Sequence, residues 1–158
     1  MEIKAWQEGR ALAKAVYKQT KVGPMSKDFG FKDQIQRAVV SINSNIAEGF
    51  ERDSTLEFVK FIGYAKGSAG EVLSQLITAS DIGYIGQEDF VILSERAKFI
   101  GVLLSRLRSA ILSNEQSGLR WKTSPSQQPR NPATPKPSNL ETQEPRNLET
   151  QELRNSET

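Results

Sequence analysis

Glu48, Glu57 and Glu71 are carboxylates on helical segments, and together they raise the question of a metal centre in a bundle. Di-metal bundle centres draw a Glu-x-x-His pair from each of two helices. This chain has no His and no Cys. The usual centre therefore cannot form, and a hard-cation site of carboxylates alone is what stays open. The same absence removes histidine acid–base catalysis, thiolate nucleophiles, disulfides and ordinary zinc sites. No Walker loop, dinucleotide fingerprint or Ser/Lys catalytic pattern is present. Gly63, Gly67 and Gly70 fall inside a helical pattern and do not follow a strand, so they form no phosphate-cradling loop. Catalysis would have to come from Glu, Lys, Ser and Tyr alone; the chain reads as non-enzymatic, with no cofactor and no metal.

The cations suggest different chemistry. Lys14 and Lys18 stand one helical turn apart, with Lys21 one turn further. Arg106 and Arg108 come late in the chain, followed by Arg120 and Lys122 on either side of Trp121. Cations near a helix C-terminus complement its negative end, which is one reading. The other is a basic rim that holds a nucleic-acid backbone, with Trp121 able to stack a base. On that reading the nucleic-acid-binding candidates are Lys14, Lys18, Lys21, Arg106 and Arg108.

A second constellation sits in FKDQIQRAVVSINSNIAEGFER, Phe31 to Arg52. Arg37, Asn45, Glu48, Gly49 and Arg52 belong to it, and Glu71 follows at a distance. Asn45 and Glu48 either hydrogen-bond the next loop, with Gly49 ending the helix, or make polar contacts across a subunit interface. Arg37 and Arg52 either pair with Glu48, Glu51, Glu57 or Glu71, or contact phosphate.

These residues need helices to hold them, and four can be read. The first runs from Ile3 to Thr20, with Ala5, Trp6, Leu12, Ala13, Val16 and Tyr17 apolar, and is stopped by Gly23-Pro24. The second runs from Phe31 to Gly49, with Phe31, Ile35, Ala38, Val39, Ile42 and Ile46 on one face. The third starts at Ser54, which forms a capping-box spacing with Glu57, and ends at Gly83. Its internal glycines read as close-approach points for a neighbouring helix. The fourth opens near Gly86, favoured by Glu88 and Asp89 in the first turn. Phe90, Leu93, Ala97, Ile100, Leu104, Leu107 and Ile111 then repeat at alternating steps of three and four. A second line, Ile92, Phe99, Leu103 and Ala110, widens the apolar arc beyond one face. That width predicts either a broad core face or contact with another subunit.

No strand-like alternation occurs, and short connections suit antiparallel neighbours. The expected class is all-α: an up-down-up-down four-helix bundle over residues 1–118. Beyond it, residues 119–158 are a Pro-rich segment and an imperfect octapeptide repeat, NLETQEPR then NLETQELR. That composition predicts a disordered tail. Up to Lys122 there are 17 Lys and Arg against 14 Asp and Glu; beyond it there are 4 against 5. The stretch up to Lys122, at +3, is mildly basic, compatible with a phosphate-rich partner without demanding one. The charge-broken N-terminus is unlike a signal peptide, and no apolar run approaches the roughly 20 residues of a membrane span. A cytoplasmic protein with no membrane contact is expected.

Phe31–Arg52 and Phe58–Ile85 together resemble the bacterial rRNA intervening-sequence proteins. The resemblance is carried by Gln34-Ile35, Arg37-Ala38, Ser41-Ile42, Asn45-Ile46-Ala47-Glu48-Gly49, Arg52, Phe58, Gly67-Ser68, Glu71 and Gly83-Tyr84-Ile85. It spans roughly Ile3 to Asn114. It implies a four-helix bundle assembled as a ring-like homopentamer, and association with RNA. A group similar in fold comprises accessory proteins of diversity-generating retroelements, basic pentameric barrels that work with a reverse transcriptase. The alternative it implies is a protein-interaction scaffold or accessory subunit for such an enzyme, although this chain lacks their strongly basic balance.

Overall fold

Side-chain caps set two of the four helix starts in the computed structural model, which describes residues 2–116. Asp28 Oδ1 accepts the Phe31 N–H at 3.0 Å, satisfying a donor that the first helical turn leaves open. Ser54 Oγ accepts the Glu57 N–H at 3.4 Å. The helices are α1 (Lys4–Gln19), α2 (Phe29–Glu51), α3 (Thr55–Asp81) and α4 (Gln87–Gln116), with a 3-10 turn at Pro24–Ser26. Each packs against its neighbour in sequence, and α4 closes the bundle against α1. This is the antiparallel four-helix architecture that the periodicity predicts. No strand occurs among the described residues. None of the described helices is long and apolar enough to cross a membrane. The tail expected at 119–158, with Arg120, Trp121 and Lys122, lies outside the described residues.

The predicted stripes form the core. Leu12, Val16, Ile35, Val39, Ile42, Ile46, Phe58, Ile62, Leu76, Ile100 and Leu104 are all at most 1% exposed. Tyr17 departs from its expected place in the α1 stripe. The buried series on α1 is Ala5, Gly9, Leu12 and Val16, and Tyr17 sits one residue off it, 38% exposed.

Two glycine findings correct the sequence reading. Gly63, Gly67 and Gly70 are not close-approach points among the described residues: a Cβ on any of them meets none of these within 4 Å. Helix α3 turns its Phe58, Ile62, Ala65, Ala69, Val72 and Leu76 face inward, and these glycines lie on the opposite, exposed side. Gly49, in turn, does not end α2, which continues to Glu51. It is buried where α2 meets α3, and a Cβ there would stand 2.5 Å from Phe61 Cβ and 3.0 Å from Phe58 Cδ2. Its lack of a side chain is what lets the two helices approach. Gly9 does the same for α1 and α2, beside Asn43.

Loops at one end of the bundle are tied together by Tyr84. Its ring packs edge-on to Phe31 with centroids 5.6 Å apart, and its hydroxyl donates to Asp28 Oδ2 at 2.9 Å. Gly83, at φ +74°, makes the left-handed turn that ends α3 and delivers Tyr84 there. One carboxylate thus caps α2 with one oxygen and holds the α3–α4 connection with the other. The Phe31 N–H and the Tyr84 hydroxyl both favour its ionised form, so Asp28 titrates below its ordinary value. Tyr84 titrates above its own, because its proton is held by that carboxylate and its ring is partly desolvated.

Candidate nucleic-acid interface

The five cations proposed for a nucleic-acid backbone do not form one surface. Lys14, Lys18 and Lys21 are exposed along the outer side of α1 and the turn after it. None takes part in an ion pair among the described residues. Arg106 and Arg108 belong to the other end. Their neighbours Leu103 and Leu107 line an apolar groove with Ile3, Ala5 and Phe50, at the N-terminus of α1. At 1.5 Å per residue, Lys14 and Lys18 stand about 15–20 Å up the bundle from that level. Arg106 and Arg108 are also two residues apart on a helix, so they point to sides about 160° apart. Two residues is a short separation in sequence and close to the largest angular one in a helix.

The α1 lysines have neighbours that residue spacing alone did not single out. Tyr17 is three residues after Lys14, a neighbouring position on the helix surface, and Lys21 follows in the turn beyond the end of α1. It forms one wall of a groove of about 460 Å³ whose other walls come from α2: Asp33, Gln36, Arg37, Val40 and Ser44. Gln36 is fixed there by its Nε2, which donates to Thr20 Oγ1 at 2.7 Å and pins the end of α1 to α2. Arg37 pairs with Asp33 one turn back, not with any of the glutamates considered for it, and both side chains are more than half exposed. Val40 adds an apolar floor that is 43% exposed. The signal that could have found Tyr17 was present. It falls off the buried three-and-four series, among lysines, where an aromatic ring is not needed for the core.

The remaining family-motif residues make contacts within the chain. Asn45 does not reach the following loop; its Nδ2 donates back to the Ser41 carbonyl at 2.8 Å and to Ser41 Oγ at 3.0 Å. Ser68 Oγ donates to the same Ser41 hydroxyl at 3.0 Å, linking α3 to α2. The Ser41, Asn45 and Gly67-Ser68 pieces thus meet at one seam. Glu48 accepts from Arg52 Nη2 at 2.6 Å. The Arg52 guanidinium also lies 5.2 Å from the Phe61 ring centroid, covering the α2–α3 connection. Glu71 is exposed and accepts from Gln75 Nε2 at 3.3 Å. Glu48, Glu57 and Glu71 are not gathered into a carboxylate cluster; among the described residues no group of three potential metal ligands occurs.

A polar contact that the sequence reading left unassigned lies between α1 and α2. Asn43 Nδ2 donates to the Trp6 carbonyl at 2.8 Å. Its buried Oδ1 has no hydrogen-bond partner among the described residues and faces Gly9, where a Cβ would stand 2.3 Å away. Further along α1, Glu8 is held below its ordinary carboxylate value by the hydrogen bond from Lys4, which outweighs its desolvation; the charges of Lys4 and of Arg96 on α4 add to this.

Comparison with known proteins bears on the same residues. The family model for the 23S rRNA-intervening sequence protein matches residues 1–106. A crystal structure of a protein of unknown function from the S23 ribosomal protein family, from Bacteroides thetaiotaomicron, is similar in fold. Its TM-score is 0.61 at 23% identity, covering 66% of this chain and 97% of that one. No curated protein matches the chain.

Proposed function

Since this chain belongs to the 23S rRNA-intervening sequence protein family, we propose that it is a non-enzymatic, homo-oligomeric accessory protein that associates with RNA through phosphate contacts. The observation that carries the reading is the row Lys14, Lys18 and Lys21, exposed and outside any ion pair among the described residues. Exposed cations spaced a turn apart suit a polyanion, because each contact releases condensed counterions. Arg106 and Arg108 form a second, weaker group that joins the first only if copies of the chain bring the two ends together.

Assembly is supported by the second apolar line of α4, Ile92, Phe99, Leu103 and Ala110. Ile92 is 53% exposed and Phe99 45%, Leu103 is half-buried, and Val102, outside that line, adds a further apolar side chain at 46% exposure. Such a line is costly to leave in water and fits burial against another copy, a ring of five by resemblance. The same line also favours the second reading, a scaffold for a protein partner such as a reverse transcriptase.

Light scattering coupled to size exclusion, with and without a structured RNA at low and moderate salt, tests the proposal. An oligomer that shifts with RNA and releases it as salt rises is expected. Reversing the charge of Lys14, Lys18 and Lys21 together should weaken binding and reduce the salt slope by about 2 for single strands. An unchanged slope would remove this surface from the model. An oligomer indifferent to RNA at low salt would favour the protein-scaffold reading.

A further inference from the structure

We infer that the groove between Tyr17 and Arg37 takes an unpaired base of single-stranded RNA, with Lys14 and Lys21 on the flanking phosphates. The inference rests on the RNA reading above and says which form of RNA the α1 surface prefers.

Volume, apolar surface and polar side chains meet in this groove. Its volume, about 460 Å³, lies within the range of roughly 300–1,000 Å³ common to small-ligand sites. One wall is the Tyr17 ring and the floor is Val40, both partly exposed, so an apolar planar group finds a surface to lie against. Polar side chains, Gln36 and Ser44, stand beside them, and a base edge can hydrogen-bond there. Lys14 stands one turn before the ring on α1 and Lys21 follows in the turn after the helix, so exposed cations precede and follow the ring along the chain as phosphates precede and follow a base. Duplex RNA offers no such base, because its bases are stacked and paired.

Arg37 supplies a regulated cation. Its partner is Asp33, and both are well exposed, at 70% and 57%. Exposed pairs of this kind contribute little to stability, so Arg37 can exchange the carboxylate for a phosphate at small cost. Asp33 then becomes a repulsive neighbour for the strand, and its charge limits affinity.

The test uses the full chain with a labelled, unstructured RNA of about 12 nucleotides and a duplex of the same length, read by fluorescence anisotropy. Tyr17→Ala should weaken single-strand binding about tenfold, the effect of losing one stacked base. Duplex binding should be unaltered. Tyr17→Trp should preserve the preference, and Asp33→Asn should tighten single-strand binding. If Tyr17→Ala leaves the single-strand affinity unchanged while the triple lysine reversal abolishes it, the base pocket is wrong and the phosphate reading stands. If neither variant changes binding, both fall. Equal loss of single-strand and duplex binding in Tyr17→Ala would also overturn the stacking role.

Discussion

Alanine at Gly49 and at Gly67 should move stability in opposite directions, although both glycines lie within long helices. The helix itself favours alanine by about 1 kcal/mol at either position. At Gly67 nothing lies within 4 Å of the added Cβ, so that gain is realised in full. At Gly49 the Cβ would stand 2.5 Å from Phe61 Cβ and 3.0 Å from Phe58 Cδ2. Carbon atoms prefer about 3.5–4.0 Å. Phe61 Cβ is attached directly to the α3 backbone and cannot rotate away, so α2 and α3 must part by about an ångström. Overpacking of this kind costs about 1–3 kcal/mol, and the separation also loosens the Phe50 and Phe58 rings, which pack edge-on at 6.2 Å. The net expectation is a loss of up to about 2 kcal/mol for Gly49→Ala against a gain approaching 1 kcal/mol for Gly67→Ala. For a domain of this size each kcal/mol is worth about 4 °C in Tm. Thermal and urea unfolding followed by circular dichroism, at a concentration too low for assembly, would measure both. Equal stabilisation by the two substitutions would refute the packing argument. A loss at Gly67 would show that its face is covered in solution.

Three further outcomes are expected. Gly9→Ala should destabilise the bundle by displacing the Asn43 amide from the Trp6 carbonyl; adding Asn43→Ala should recover part of the loss, a coupling of about 1 kcal/mol in a double-mutant cycle. Tyr84→Phe should flatten the pH dependence of Tm at both extremes. Asp28 is shifted down, so its contribution is present above the ordinary carboxylate value near 3.9 and is lost as pH falls through the lowered one; Tyr84 is shifted up, so its contribution holds below about 10 and is lost as pH rises through the raised one. Identical pH profiles for the two proteins would dismiss the Asp28–Tyr84 link. Ile92→Glu with Phe99→Glu should shrink the particle seen by light scattering while helix content stays constant, since both side chains are about half exposed in one chain; a particle of unchanged size would place any subunit contact elsewhere.

The fold was legible because burial in a helix bundle leaves a periodic trace. Each inward stripe repeats at three and four residues, and Ile35, Ala38, Val39, Ile42 and Ile46 are all buried as that spacing requires. Helix ends were legible to within two residues where a capping residue or a Gly-Pro stop marks them. The start of α2 was placed two residues late, at Phe31 and not Phe29, because the capping role of Asp28 was not recognised in the sequence. The glycines show the same limit. Gly9 and Gly49 are close-approach points and Gly67 is not, yet in sequence all three are single glycines within helical patterns. What separates them is the neighbouring helix, and periodicity within one helix carries no information about its neighbour.

The candidate site was harder to read for a related reason. A surface site leaves no periodic trace, so charge clustering along the sequence was the available guide, and it groups residues by number. Lys14 and Lys18 share a face because four residues make about one turn; Arg106 and Arg108 do not, because two residues make about half a turn. Arg37 reaches Tyr17 from α2, twenty residues on in the chain, through the packing of α1 against α2. Tyr17 reads as core by residue type and as surface by phase. Phase is the better guide when the two disagree, since one residue's step turns a side chain by about 100° and carries it off the buried face. Applied to α4, the same criterion separates Ile92 and Phe99 from Leu93 and Ile100, their buried neighbours one residue on. An aromatic or branched residue out of phase lies off the buried face of its own chain, and these are the side chains on which the proposed RNA and subunit contacts rest.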